Sequence, residues 1–250
     1  PLAGLVSGPA GSGSPATSPS AAPVTPWVMC GLLGNDRLAA DTAGGFGLAL
    51  QLAPLRGPVL HDDDGFVDFG AAATSYYYSR TRLSAAGTIR AGARALTVQG
   101  LAWFDHQWGD FIAVGGGWDW FAINLDDGTD LTLSLVRDRS GGYPLVYGTL
   151  VDADGRARRL DRTAFTVTPG GAWTSPRTGA TYPAGWRVTL PREGLVIDLR
   201  PTVADQELDT RATTGVVYWE GSQVVTATRA GRALGGEAYV ELTGYGAPRG

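Results

Sequence analysis

The segment Leu101–Leu125 carries the residues best suited to chemistry in this chain. It reads LAWFDHQWGDFIAVGGGWDWFAINL, and it combines seven aromatic residues with three aspartates and one of the chain's two histidines. Ionisable side chains set among large aromatic rings are typical of an apolar pocket that contains acid or base groups. The segment therefore predicts an acid–base site for an apolar ligand, and the rest of the chain must supply the elements that position it.

His106 is the first candidate catalytic residue. In an extended segment it shares one face with Phe104 and Trp108, whereas Asp105 points to the opposite face. Aromatic neighbours disfavour the charged imidazole unless an acid pairs with it, so the partner should be an acid other than Asp105. The alternative is a structural histidine held by hydrogen bonds where two domains meet.

Asp119 is the second candidate catalytic residue. On a strand spanning 118–125 it shares a face with apolar residues, whereas the two tryptophans beside it point the other way. A carboxylate on an apolar face is costly unless it is paired or protonated, and a raised pKa would make it a general acid. The alternative is a salt bridge to an arginine, for example Arg80 or Arg82.

Aromatic and acidic side chains elsewhere could complete the pocket. Aromatic faces stabilise a developing carbocation, although each ring could equally belong to the hydrophobic core. Glutamates among them would be further buried acids, whereas Asp62, in a run of three aspartates, is expected in a solvated loop. The predicted substrate-binding residues are Tyr76, Tyr78, Trp118, Trp120, Trp219, Glu220 and Glu241.

Composition favours an all-β protein without a bound cofactor. The 250 residues include 37 glycines and 15 prolines, which predict many turns, and long helical patterns are scarce. Two histidines and one cysteine make a transition-metal centre improbable, and nucleotide-binding motifs are absent, so neither metal nor organic cofactor is predicted. Cys30, the single cysteine, excludes an internal disulfide and is predicted to be a buried strand residue.

Charge and hydropathy argue against two classes of partner. The net charge is −4, every basic residue is arginine, and there is no basic stripe, which argues against nucleic acid. No apolar run reaches the roughly 18 residues of a membrane span, so no integral membrane segment is predicted. We expect a cytoplasmic location, or secretion if a signal peptide has been removed.

We predict three regions. Residues 1–26 are a flexible Gly/Ser/Pro-rich arm, 27–111 form an N-terminal lipocalin-like domain, and 112–250 form a C-terminal one, with the crossing at Gly115–Gly117. Beyond that crossing, about nine short strands with clear turn signals suit a closed up-and-down barrel. The N-terminal half holds too few strands to close an eight-stranded barrel, so its barrel is predicted to be short or incomplete. Predicted strands include 27–33, 46–52, 70–83, 88–94, 96–104, 215–220 and 223–229.

A series of ordered motifs resembles one known family. The motifs extend over roughly residues 70–246, and together they are similar to the carotenoid 1,2-hydratase (hydroxyneurosporene synthase) and AttH-like family. They are Tyr76-Tyr-Tyr-Ser-Arg-Thr-Arg-Leu, Trp103-Phe-Asp-His-Gln-Trp-Gly, Gly117-Trp-Asp-Trp-Phe-Ala-Ile-Asn-Leu-Asp-Asp-Gly, Tyr182-Pro-Ala-Gly-Trp, Gln206-Glu-Leu, Tyr218-Trp-Glu-Gly and Gly236-Glu-Ala-Tyr-Val-Glu-Leu-Thr-Gly-Tyr.

The resemblance implies two packed lipocalin-like barrels with a pocket at or near their junction. It also implies one of two chemistries: hydration of an isolated alkene, or cofactor-free Diels–Alder cyclisation of polyketide or polyene chains. The His-x-Trp of the family hydratases maps onto His106 and Trp108, so Trp108 joins His106 and Asp119 as a predicted catalytic residue.

We therefore expect a cofactor-independent cyclase or isomerase of natural-product biosynthesis, acting on an apolar polyene or polyketide-type substrate. A carotenoid-hydratase-like lyase and a non-catalytic lipocalin-like carrier of hydrophobic ligands are the alternatives. The carrier would need the same apolar pocket but no placed acid.

Overall fold

The computed structural model describes residues 27–70, 73–109 and 116–246, and it is nearly all β. The predicted arm 1–26 lies outside the described residues. The strands are β1 (Val28–Leu32), β2 (Asn35–Asp41), β3 (Phe46–Pro54), β4 (Val59–Leu60), β5 (Phe66–Asp68), β6 (Thr74–Ala91), β7 (Arg94–Trp108), β8 (Gly117–Leu125), β9 (Asp130–Arg137), β10 (Leu145–Val151), β11 (Ala157–Leu160), β12 (Thr166–Pro169), β13 (Trp173–Thr174), β14 (Thr181–Tyr182), β15 (Trp186–Leu190), β16 (Leu195–Pro201), β17 (Glu207–Asp209), β18 (Val217–Arg229), β19 (Arg232–Leu234) and β20 (Gly236–Thr243). A single 3₁₀ turn, Pro191–Glu193, separates β15 from β16.

The chain divides into two compact units. The first holds residues up to 56 together with 82–106, and the second holds 57–81 together with the chain from 107 onward. Strand β6 begins in the second unit and ends in the first, so the boundary between the two units lies within this strand. The predicted domain boundary at 111/112 stays a prediction.

The second unit is built as an up-and-down barrel that is open at one seam. Its antiparallel sheet runs in the order β11-β10-β9-β8-β20-β18-β16-β15-β12, with β17 and β19 also paired to β18. In chain order β8 is the first long strand of this barrel and β20 is the last. They pair with each other, as the first and last strands of a closed up-and-down barrel do. Among the described residues β11 and β12 do not pair, so the predicted closed barrel is a half-barrel here. These two strands have only four residues each and are separated by the turn at Asp161.

The inside of this half-barrel is a packed hydrophobic core. Alternate residues of each strand enter it because side chains alternate across a strand. On β8 these are Phe121, Ile123 and Leu125, which are fully buried. Trp186 and Trp219 pack together at its centre, with ring centroids 5.8 Å apart. The core therefore fills the barrel with side chains and leaves the outer faces of the strands for other contacts.

Segment 57–81 covers part of the outer face of β8, β9 and β10. The Trp120 indole donates to the Tyr77 hydroxyl at 3.0 Å, and the Thr81 hydroxyl donates to the Asp130 carboxylate at 2.8 Å. One face of β6 is formed by four buried residues, Tyr77, Ser79, Thr81 and Leu83. This layer holds the outward side chains of β8 in fixed positions.

The first unit has a smaller interior. Strands β1, β2, β3 and the C-terminal half of β6 pair in that order. Leu52 and Leu83 are its buried apolar side chains among the described residues. A small interior agrees with a short N-terminal barrel, and the all-β, lipocalin-like fold prediction is confirmed.

Three local expectations were wrong. Cys30 is exposed, because every residue of the end strand β1 is exposed. The expected loop after β1 contains strand β2. The predicted breaks within β6 and β18 are absent: Gly87 and Gly221 are not turn residues but positions where a Cβ would strike the Ala49 carbonyl oxygen and the Gln206 side chain. No helix in the described part of the chain is long and apolar enough to cross a membrane.

Candidate functional site

Asp119 lies on the inner face of β8 at one end of the half-barrel. The Tyr143 hydroxyl donates to its Oδ2 at 3.0 Å, and the Tyr245 hydroxyl lies 3.0 Å from Oδ1 and 3.1 Å from Oδ2. The Arg137 Nε lies 3.5 Å from Oδ1, and the guanidinium also covers the Tyr245 ring at 3.9 Å from its centroid. The predicted face is confirmed, since Asp119 is 5% exposed beside the apolar core.

The surroundings of Asp119 have opposing effects on its pKa. Burial raises the pKa of this carboxyl, and the charge of Arg137 and the two tyrosine hydroxyls oppose that rise without cancelling it. Burial and the nearby carboxylate also raise the pKa of Tyr143 to about 12, so this phenol stays a donor at neutral pH. The donors to Asp119 include two tyrosine hydroxyls, with the Arg137 guanidinium beside them. These contacts favour a structural hydrogen-bond centre.

A second acidic cluster lies on the outer face of the same sheet. Glu220 on β18 and Glu241 on β20 are direct cross-strand partners, and Trp120 of β8 is the next residue in that row. The Trp118 indole donates to Glu241 Oε1 at 2.8 Å. The structure thus brings together four of the predicted substrate-binding residues, the two tryptophans and the two glutamates.

Glu220 is a carboxyl group with a raised pKa. Burial raises its pKa, and a side-chain hydrogen bond with Glu241 opposes the rise. Two carboxyl groups can share a hydrogen bond only when one of them carries a proton. Glu241, 8% exposed, is held by an indole N–H, a partner suited to an ionised carboxylate. The arrangement therefore supplies a proton donor beside a carboxylate.

Two tyrosines flank this acid pair. Tyr218 and Tyr239 have raised pKa values, first through burial and then through the negative charge of the two glutamates. The Tyr218 ring lies 6.3 Å from the Trp118 ring in an edge-on arrangement. Tyr239 is 41% exposed, so the cluster reaches the surface there. Neither tyrosine was predicted as a site residue, although both occur in the family motifs.

The predicted residues Tyr76, Tyr78 and Trp108 form a separate aromatic group. Tyr76 and Trp108 stack at 5.5 Å with an angle of 24° between their planes, and Tyr78 meets Trp108 edge-on at 6.2 Å. Tyr76 and Trp108 are both about half exposed. This group could hold a flat or conjugated chain.

The other residues singled out in the sequence have different surroundings from one another. His106 belongs to the first unit, is exposed, and lies 6.2 Å from the Phe104 ring. Trp219 is fully buried in the half-barrel core, and its indole donates to the Ala204 carbonyl at 3.0 Å. Asp62 is half-buried and forms an ion pair with Arg159 at 2.5 Å, so it is not simply solvated.

Sequence reasoning missed three residues around Asp119 and one buried histidine. Tyr245 ends a family motif, but Arg137, at the end of β9, and Tyr143, in the connection between β9 and β10, carried no signal. His61 is completely buried, with Nδ1 2.9 Å from the Thr149 hydroxyl and Nε2 2.7 Å from the Ser79 hydroxyl. Desolvation lowers its pKa to about 3, so it is neutral under physiological conditions.

Two of the cavities in the described part of the chain are not lined by any predicted site residue. One of about 210 Å³ lies beside Thr149, Arg158 and Arg159. The other, of about 500 Å³, lies on the outer face of β12, β15 and β16. No group of three or more His, Cys, Asp or Glu side chains in the described ranges is placed to share a metal ion.

The fold and the acid pair define the class: a lipocalin-like β protein with a carboxyl pair on an outer sheet face. The chain belongs to the AttH-like family, whose family model matches residues 10–245. It matches none of the curated proteins with which it was compared.

Solved structures support this assignment. An AttH from Nitrosomonas europaea is 35% identical, with a TM-score of 0.78; the match covers 88% of this chain and 68% of that one. Kievitone hydratase from Nectria haematococca is 19% identical, with a TM-score of 0.69 and coverage of 84% and 65%. CghA with Sch210972 is 12% identical, with a TM-score of 0.54 and the same coverage. The last two share the fold, and the chain spans about two thirds of each relative's length.

Proposed function

We propose that this protein is a cofactor-independent enzyme that adds water to a carbon–carbon double bond of an apolar unsaturated substrate. The observation that carries the proposal is the cross-strand pair of Glu220 and Glu241, in which burial raises the pKa of one acid beside a second carboxylate. Hydration needs one group to give a proton and one to take a proton from water, so an unequal acid pair suits this reaction.

The proposed reaction follows from the two protonation states. Protonated Glu220 transfers its proton to one alkene carbon, which leaves a cation at the other. A water molecule adds to that cation while the Glu241 carboxylate accepts the water's proton. Glu220 is now ionised and Glu241 protonated, and their shared hydrogen bond returns the proton to Glu220. Atoms balance as alkene plus water giving an alcohol.

The aromatic side chains around the pair support a cationic intermediate. Aromatic faces attract positive charge, most strongly in an environment from which water is excluded. Trp118 and Tyr218 stand beside the acids, and the Trp118 N–H also fixes Glu241 in place. These residues would lower the barrier to protonation and orient the base.

A second candidate is the cyclase or isomerase expected from the sequence. The observation that favours it is the half-exposed stack of Tyr76 and Trp108, which suits a conjugated chain held in a folded shape. In this reaction the carboxyl pair would only donate hydrogen bonds. No water would enter the product.

Labelled water distinguishes these reactions. Purified protein is incubated with kievitone and with acyclic isoprenoid polyenes in buffer prepared with H₂¹⁸O, and products are examined by mass spectrometry against a heat-denatured control. The proposal expects a product that has gained one labelled water. A product of unchanged mass would instead establish cyclisation or isomerisation. Saturable binding without any product would identify a carrier and contradict the proposal.

A further inference from the structure

The outer surface of the second unit carries a groove that the proposed hydration site does not use. It has a volume of about 500 Å³, within the range of small-molecule sites, and it crosses β12, β15 and β16 near the seam of the half-barrel. Its lining includes Thr168, Gly170, Gly185 and Arg200. No acid of the Glu220 cluster contributes to it.

Two glycines form the floor of the groove. The Gly170 N–H donates to the Gly185 carbonyl at 2.7 Å, so the two residues are neighbours across the strands. A Cβ at Gly170 would meet only the Gly185 oxygen, at 4.0 Å, and would otherwise enter open space. A Cβ at Gly185 would instead lie 3.2 Å from the Leu199 carbonyl oxygen, so the open surface without a side chain is the one at Gly170. Such a surface fits a planar ring.

One charge at the groove has no partner. Arg187 and Asp198 bind each other through two hydrogen bonds of 2.7 and 2.9 Å, so their charges offset one another. Arg200 is exposed and forms no hydrogen bond or ion pair among the described residues. The groove therefore presents a glycine-containing floor with one available guanidinium at its side.

We propose that this groove is a second ligand site, which takes a planar aromatic or conjugated carboxylate. The ring would lie on the glycine floor, and the carboxylate would bind Arg200 through two N–H donors, the geometry that a guanidinium matches best. The ion pair of Arg187 and Asp198 borders the ring and offers no free charge to a second anion. This site is independent of the hydration proposal.

The test is a titration with 2-naphthoate, followed by the ligand's fluorescence and by calorimetry. The variants are Arg200→Gln, which removes the charge, and Gly170→Val, which fills the floor. Arg232→Gln, an exposed arginine outside the groove, is the matched control. 2-Naphthylmethanol tests whether the carboxylate is required. Circular dichroism establishes that each variant is folded.

We expect saturable binding of one naphthoate per chain, at least tenfold weaker binding in Arg200→Gln and loss of binding in Gly170→Val. Arg232→Gln should bind like the original protein, and the alcohol should bind at least tenfold more weakly than the acid. Absence of saturable binding would overturn the proposal. Equal affinity of the original protein and Arg200→Gln would also overturn it, whatever the behaviour of Gly170→Val.

Discussion

Glu220 and Glu241 face each other on adjacent strands, an arrangement that ordinarily destabilises a sheet. Like charges directly opposite one another repel, and both side chains here are at least half buried. A shared proton removes the repulsion and leaves one net charge. The pair is therefore expected to exist mainly in a singly protonated form, which is the form that the proposed reaction starts from.

The first prediction concerns the pH dependence of turnover. Because burial raises the pKa of Glu220, its protonated, active form persists above the usual range of a glutamate. Turnover at saturating substrate should fall as pH rises through that raised pKa. A pH–rate profile measures this. A rate that stays constant up to pH 9 would mean that no carboxylic acid gives the proton.

Asp119 presents the opposite case, a buried acid whose partners include two tyrosine hydroxyls and the Arg137 guanidinium. Asp119→Ala would leave the Arg137 guanidinium without its ion-pair partner and two tyrosine hydroxyls without their acceptor. Loss of one member of a buried ion pair typically costs about 3–5 kcal/mol, and Tyr143→Phe, which removes one hydrogen bond, should cost about 1 kcal/mol. Urea unfolding measures both. Equal, small decreases in the free energy of unfolding of Asp119→Ala and Tyr143→Phe would show that Asp119 is not a structural centre.

At the scale of elements, Glu207 of β17 stabilises the β13–β14 hairpin through hydrogen bonds. Its buried carboxylate accepts hydrogen bonds from Ser175, Thr178 and Tyr182 at 2.5, 2.6 and 2.9 Å. Burial raises the pKa of Glu207, but these hydroxyls and Arg177 outweigh burial and hold the pKa below its usual range. The stabilisation is therefore present at neutral pH and is lost as pH falls through this lowered pKa.

Glu207→Ala should lower the free energy of unfolding by about 3 kcal/mol or more, because three hydroxyls lose their acceptor. It should also expose Arg177 in the hairpin connection to trypsin. The matched control is Asp205→Asn, an exposed carboxylate that pairs with the same Arg177 and should change stability very little. Equal losses in the two variants would refute the role assigned to Glu207.

The features that can be predicted from the sequence are those that depend on the alternation of side chains between the two faces of a strand. The period-two pattern predicted that Asp119 shares a face of β8 with apolar residues, since strand geometry alone decides which side chains share a face. Glycines were harder to interpret. Gly87 and Gly221 resemble turn residues in the sequence, yet each allows a distant segment to approach the strand closely. The Tyr143 and Arg137 contacts depend on sheet register, which local sequence does not encode.

At the scale of the whole molecule, the buried His61 should make the stability of the fold sensitive to acid. His61 is neutral and buried, with its pKa lowered to about 3, whereas the unfolded chain would protonate it near pH 6.5. Between these values the unfolded state binds more protons, so stability is present above about pH 6.5 and falls as pH drops towards 3. In this range, one extra proton bound by the unfolded state lowers the free energy of unfolding by about 1.4 kcal/mol for each pH unit of acidification.

Urea unfolding between pH 7 and pH 5 tests this prediction. His61→Phe preserves a ring beside Tyr77 and should remove most of the slope, although its stability at pH 7 is lower because Ser79 and Thr149 lose their partner. An unchanged slope in His61→Phe would show that other groups cause the acid sensitivity.

The central claim is that Glu220 gives the proton in a hydration reaction, and the most direct measurement is the turnover of Glu220→Gln. Glu237→Gln, an exposed glutamate on the same face of β20, is the matched control. With the substrate that yields the labelled alcohol, we predict at least a hundredfold loss in Glu220→Gln, as for removal of a general acid, and a change below about twofold in Glu237→Gln. Folded Glu220→Gln that retains its turnover would contradict the account.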